Sequence, residues 1–213
     1  MKMTEKRLRA LLWMLKNKNR KWSIYALQKN AKAMDYSATH AFVKELEKEE
    51  FIVKDARTDE FQLTKVPDLI KLISLFKPIA SRRKVYLYSD LELIKKTKMI
   101  KSIGAEYALT IFGASELLHP YIKTNVLHLY VSENNLENWV KELIRRKVMK
   151  SDKINANIIL LPVAEQSYFD FSETIRGYKL APLGIAIADM FSFGSLAEEQ
   201  ANFILKEWLA DRI

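Results

Sequence analysis

The chain has 213 residues, enough for one large or two modest cores, and carries a formal charge of +9, three histidines and no cysteine. The missing cysteines exclude disulfides, thiolate nucleophiles and cysteine-ligated metals. No apolar run reaches the roughly 18 residues of a membrane span, and the basic start MKMTEKRLRA leads into an amphipathic pattern rather than a secretory core.

A soluble, unprocessed, cytoplasmic protein with no membrane partner is therefore expected. His40, His119 and His128 have no second histidine or carboxylate at the helical spacing that metal sites use, so neither a metal nor a cofactor is expected. The charge is unevenly spread: residues 1–84 hold 20 Lys/Arg against 10 Asp/Glu, and residues 85–213 hold 15 against 16. A basic first third joined to a near-neutral remainder fits a polyanion-binding module, because neutralised phosphates release their counterions. A lysine-rich solvated surface would look the same on charge alone.

In chain order, Leu8, Leu11, Leu12 and Leu15 recur at i, i+3, i+4 and i+7 after a capping Thr4, which predicts an amphipathic first helix with Lys6, Arg9 and Lys16 on its other face. Ser23 caps a second helix whose stripe is Ile24, Leu27 and Ala31. After MDY, Ser37 is expected to cap SATHAFVKELEKEE, which turns Thr39, Phe42, Val43 and Leu46 inward. Ser37, Ala38, His40, Ala41 and Lys44 then face outward, small and hydrogen-bonding side chains suited to base edges in a major groove. The acidic run Glu45, Glu47, Glu49 and Glu50 would angle away from DNA.

Two β-type runs, Phe51 to Val53 and Phe61 to Leu63, surround the tip KDARTDE. Three helices and a hairpin in this order resemble the winged helix-turn-helix superfamily over about residues 4–65. With the basic charge of this third, DNA binding is expected, in which Lys29, Lys32, Lys54 and Arg57 hold phosphates of the double strand. Glu50 departs from the glycine that many members place before the wing, so a tighter or longer helix end is expected. Winged helices also dock proteins, which keeps an interaction adaptor as an alternative.

Pro67 opens a connecting helix carrying Leu69, Leu72, Ile73 and Phe76, and its apolar stripe could pack against a second chain. The segment Arg82, Arg83, Lys84 reads either as a phosphate-facing extension or as a solvated hinge. The expected division is 1–66 for the DNA-binding domain, 67–84 for the connector and 85–213 for an α/β domain, making the whole α+β. In the last part strands are expected at KVYLYS, EYALTIF, NVLHLYVS, NIILLPV and GYKLAP. Helices are expected at DLELIKKTKMIKSIG (capped by Asp90), GASELLHP, ENNLENWVKELIRRK and the two C-terminal segments.

Together, YALTIFGASELL, VLHLYVS, NIILLP and LAPLGIAIADMFSFGSLAEEQANFIL resemble the C-terminal domain of the AbiEi-like antitoxins of type IV toxin–antitoxin systems. That resemblance implies a nucleotidyltransferase-like fold, a regulator that represses its own operon, and a separately encoded nucleotidyltransferase-like toxin as genetic partner. Transfer chemistry needs carboxylates that hold Mg²⁺ on a triphosphate. Here the turn would be Gly113, Ala114 and Ser115, but Val126 and His128 stand where aspartates would be expected, and NIILLP adds no third acid. No catalytic residue is assigned. The expectation is a sequence-specific DNA-binding transcriptional regulator, reading two half-sites if it forms a homodimer; the enzymatic alternative is a divergent nucleotidyltransferase acting on nucleic acid.

Overall fold

The computed structural model describes residues 3–76, 78–120, 122–194 and 196–211. The chain divides into two compact units, Met1–Phe76 and Lys77–Ile213. The first contains α1 (Glu5–Lys16), α2 (Ile24–Ala31), α3 (Tyr36–Lys48), a hairpin of β1 (Ile52–Lys54) and β2 (Phe61–Leu63), and α4 (Val66–Phe76).

Local chemistry sets these helix starts. The Thr4 and Ser23 side chains accept hydrogen bonds from the Arg7 and Ala26 amides, as a cap requires. The start of α3 differs from expectation: its cap is Asp35, whose carboxylate accepts from the Ala38 amide at 2.8 Å, and Ser37 lies inside the first turn. A carboxylate there satisfies an orphan donor and also interacts favourably with the positive end of the helix dipole.

At its other end α3 closes with bonds from Phe51 N to Leu46 O and from Glu50 N to Glu47 O, both 3.0 Å. This is a Schellman turn with Glu50 at the left-handed position, φ 59°. Glu50 thus takes the conformation a glycine would supply more cheaply, and the helix end is neither lengthened nor replaced. Leu8, Leu11, Leu27, Phe42, Val43 and Leu46 form the centre of this unit. Trp22 adds a short antiparallel bridge to Phe61 and stacks on its ring at 5.6 Å, tying the hairpin to the segment between α1 and α2. The α4 helix buries Leu69, Ile70 and Ile73 and belongs to the first unit, so the expected connector is split: its helix lies in one unit and residues 78–84 in the other.

The second unit is α+β with a mixed sheet. Its strands are β3 (Val85–Tyr88), β4 (Tyr107–Thr110), β5 (Leu127–Ser132), β6 (Met149–Lys150), β7 (Ile158–Val163), β8 (Glu173–Ile175) and β9 (Tyr178–Leu180), in the order β6-β3-β7-β5-β4-β9-β8. The β5–β7 and β4–β9 pairs are parallel and the others antiparallel. Its helices are α5 (Leu93–Ser102), α6 (Ile111–Leu118), α7 (Leu136–Arg145), the single turn α8 (Ser167–Asp170), α9 (Leu183–Phe193) and α10 (Leu196–Leu209). Helix α5 starts after Glu92 rather than Asp90, with no side-chain cap bond. Strands β6 and β8 are not among the expected strands, since two or three largely exposed residues carry too little periodicity to register.

Candidate nucleic-acid interface

The outer face of α3 is built as its periodicity requires. Thr39, Phe42, Val43 and Leu46 are buried, and Ser37, Ala38, His40, Ala41 and Lys44 are all exposed. Tyr36, in the first turn, is 55 % exposed, and Tyr25 on α2 is 62 % exposed. Neither aromatic was singled out in the sequence, although both fall off the apolar stripes of their helices, which is the signal that would have found them.

Two grooves share Tyr25. One, of about 550 Å³, is lined by Lys6, Tyr25, Gln28, Lys29, Lys32, Ala33, Met34 and Asp35. The other, of about 320 Å³, is lined by Ser23, Ile24, Tyr25, Tyr36, His40, Lys44, Lys54, Thr58, Asp59 and Phe61. The first therefore runs along α2 and the turn into α3, and the second lies between α3 and the hairpin. The structure brings Lys29 and Lys32 together in the turn-side groove, joined by Lys6, and brings His40, Lys44 and Lys54 together in the hairpin-side groove. Ser37, Ala38 and Ala41 lie on the exposed face of α3 and line neither groove. Arg57 stands at the hairpin tip.

The two grooves differ in how their cations are held. Among the described residues, Lys6, Lys29 and Lys32 have no acidic partner, and the Lys29 ammonium sits 6.0 Å from the centre of the Tyr25 ring. The lysines of the hairpin-side groove are paired: Lys44 with Glu47 at 2.6 Å, and Lys54 with Asp59 at 2.6 Å. The tip itself is shaped by Asp55, which accepts from the Arg57 and Thr58 amides and from the Lys21 ammonium. The Lys21 hydrogen bond, with those amides, holds the Asp55 carboxyl down at about 2. Arg57 keeps its guanidinium in solvent.

The division after Phe76 also moves charge. The first unit holds 16 Lys/Arg against 10 Asp/Glu, because Lys77, Arg82, Arg83 and Lys84 fall in the second. The sequence reading of SRRK as an extension or a hinge gives way to a different placement. The Arg82 guanidinium donates to the Tyr168 hydroxyl and lies 5.3 and 5.1 Å from the centres of the Tyr130 and Tyr168 rings. Lys84 donates to the carbonyls of Ile79, Ala80 and Arg82, and only Arg83 faces solvent, 3.7 Å from Glu133.

The stretch from β4 through α6 to β5 has its own geometry. Ile111 opens α6 at φ 45°, a strained conformation for a β-branched residue. Gly113 lies within the helix at ordinary φ, not at a hinge; a Cβ there would stand 2.8 Å from the His128 carbonyl oxygen, so glycine lets α6 approach β5. His128 is 2 % exposed, with its ring 5.6 Å from Phe112 and 5.5 Å from Phe193, and burial pushes its imidazole down to about 3. Among the described residues, no group of three or more His, Cys, Asp or Glu side chains is arranged to hold a metal. No helix of the described residues is long and apolar enough to cross a membrane.

No protein-family model and no curated protein matches the chain. Among solved structures it is similar to a protein reported as the crystal structure of Pseudomonas aeruginosa HmgR, at 14 % identity and a TM-score of 0.26, covering 95 % of this chain and 62 % of that one. A likeness that weak defines neither fold nor function.

Proposed function

We propose that the first unit is a winged helix-turn-helix module that binds duplex DNA, and that the protein is a sequence-specific transcriptional regulator. The observation that carries this reading is the exposed face of α3 together with two lysine-lined grooves that share Tyr25, one with Lys6, Lys29 and Lys32, the other, on the wing side, with His40, Lys44 and Lys54. A helix read in a major groove is bordered by two phosphate strands, and lysines along each supply the sequence-independent part of binding, the open ones of the first groove most directly. Ser37, Ala38, His40 and Ala41 then approach base edges, and Arg57 reaches along the backbone from the wing.

The second unit acts in this reading as a binding or packing module rather than an enzyme, supported by a β5 that offers His128 and apolar side chains instead of carboxylates. Its nucleotidyltransferase-like descent, and a role as the autoregulating antitoxin of a type IV pair, are narrower proposals carried by sequence resemblance alone. A neighbouring reading frame for a nucleotidyltransferase-like protein would support them.

The test of DNA binding is anisotropy of a labelled mixed-sequence duplex titrated with the full chain at several salt concentrations. Binding that weakens steeply with salt, and a Lys29→Ala/Lys32→Ala variant whose salt slope is shallower by about two, are expected. No affinity at low ionic strength would end the proposal.

A further inference from the structure

We propose that Glu47 and Asp59 set the affinity of the wing-side groove by holding its two lysines in ion pairs that a DNA phosphate must displace. This rests on the DNA-binding reading above and concerns how that same surface is tuned. The cations of the turn-side groove are open, whereas Lys44 and Lys54 each have a carboxylate at 2.6 Å. The fields overlap as well: Lys54 is held above the usual lysine range first by its hydrogen bond to Asp59, and Glu47 acts on it in the same direction. Asp59 lines the groove beside Lys54, and Glu47 reaches Lys44 from the next turn of α3, outside the lining, so both ammonium charges are offset on a unit whose overall charge is positive.

The physical consequence is an exchange rather than a simple addition. When a phosphate takes Lys44 or Lys54, the carboxylate left behind is close to it and repels it, and that acid gathers a counterion of its own. Each masked lysine then contributes less affinity, and a shallower salt dependence, than an open one. Both pairs are solvent-exposed on at least one partner, with Asp59 at 82 % and Lys44 at 48 % side-chain exposure, so water lets them separate at small cost. The arrangement leaves the turn-side groove as the constitutive grip and the wing-side groove as the weaker, adjustable one.

The experiment compares the full-length protein with a Glu47→Gln/Asp59→Asn variant by anisotropy on the same mixed-sequence 20-base-pair duplex across a salt series. The variant is expected to bind about three- to tenfold tighter, with the slope of log affinity against log salt steeper by about one to two. Adding Lys44→Gln and Lys54→Gln to that variant should abolish the gain. Glu50→Gln is the control: Glu50 pairs with Lys65 at 2.6 Å, outside the wing-side groove, and its neutralisation should leave affinity unchanged. Wild-type binding that the double variant leaves equal or weaker would overturn the inference, as would a gain from Glu50→Gln equal to that of either Glu47→Gln or Asp59→Asn alone, which would mean that only total charge matters. If neither wild type nor any variant binds the duplex at low salt, the DNA-binding reading itself falls and takes this one with it.

Discussion

In the first unit the ion pairs Lys44–Glu47, Lys54–Asp59 and Lys65–Glu50 all stand in water, each between side chains that are at least about a third exposed on one partner. The second unit has exposed pairs too, such as Arg145–Glu142, but it also holds a cluster of charge inside. Asp189 is 2 % exposed and accepts from the Thr110 hydroxyl at 2.6 Å and the Tyr130 hydroxyl at 2.7 Å. Burial opposes the Arg82 charge as well, and Tyr130, Tyr168 and Asp189 more than offset it. The contrast separates two uses of charge. Exposed pairs contribute little, because water and salt screen them, and can be exchanged for a ligand, whereas buried groups cost several kcal/mol when their partners are lost and so hold one packing arrangement.

The sharpest way to break this comparison is Asp189→Ala. It would leave the Thr110 and Tyr130 hydroxyls without their acceptor and Arg82 without its acid, and we expect a loss of about 3–5 kcal/mol in denaturant unfolding of the second unit, followed by Trp139 fluorescence. A loss under about 1 kcal/mol would put the buried cluster in the same class as the surface pairs.

The next effect is on pH. His128 is held down to about 3 by burial first and by Lys84 second, so between about 6.5 and 3 the unfolded chain takes up a proton that the folded one refuses. Stability should therefore fall as pH drops through that window, by about 3 kcal/mol at pH 4 from this group alone. Asp189 works in the opposite sense: burial raises its pKa, so the fold holds that proton before the unfolded chain does, and acid favours it. Melting temperatures of wild type and His128→Leu, measured from pH 7 to 4, separate the two, because the leucine variant should lose the destabilising slope. An identical slope in both proteins would remove His128 from the account.

The smallest expected effect lies in the first unit. Asp35→Ala should cost about 1 kcal/mol by uncapping α3, and Asp35→Ser should recover most of it. Chemical denaturation followed by Trp13 and Trp22 fluorescence measures both, and equal losses would show that the carboxylate matters through its charge rather than as a cap.

The limits of reading the chain alone show at particular residues. The inward face of α3 was legible because Thr39, Phe42, Val43 and Leu46 repeat at helical spacing. Its start was misplaced by two residues because Asp35 and Ser37 are both good capping residues, and which one reaches a free amide depends on the path of the preceding turn. The outward residues of α3 and the lysines were legible one by one. Their sorting into two grooves was not, since it needs the packing of α1, α2 and the hairpin around Tyr25. Arg82 illustrates the larger gap: three consecutive cations look like a solvated run, and nothing local says that the first packs over a pair of touching tyrosines from β5 and α8.

Periodicity and residue identity act over a few neighbouring positions, and they suffice for the amphipathic helices, the hairpin, the main strands of the second unit and the absence of aspartates on β5. Packing is what brings Lys54 to Asp59 across the hairpin tip, makes Gly113 necessary for contact with β5, and gathers Asp189 and Arg82 around the same tyrosines. These depend on distances between segments far apart in the chain, and on burial, which turns an ordinary charge into one that must be partnered.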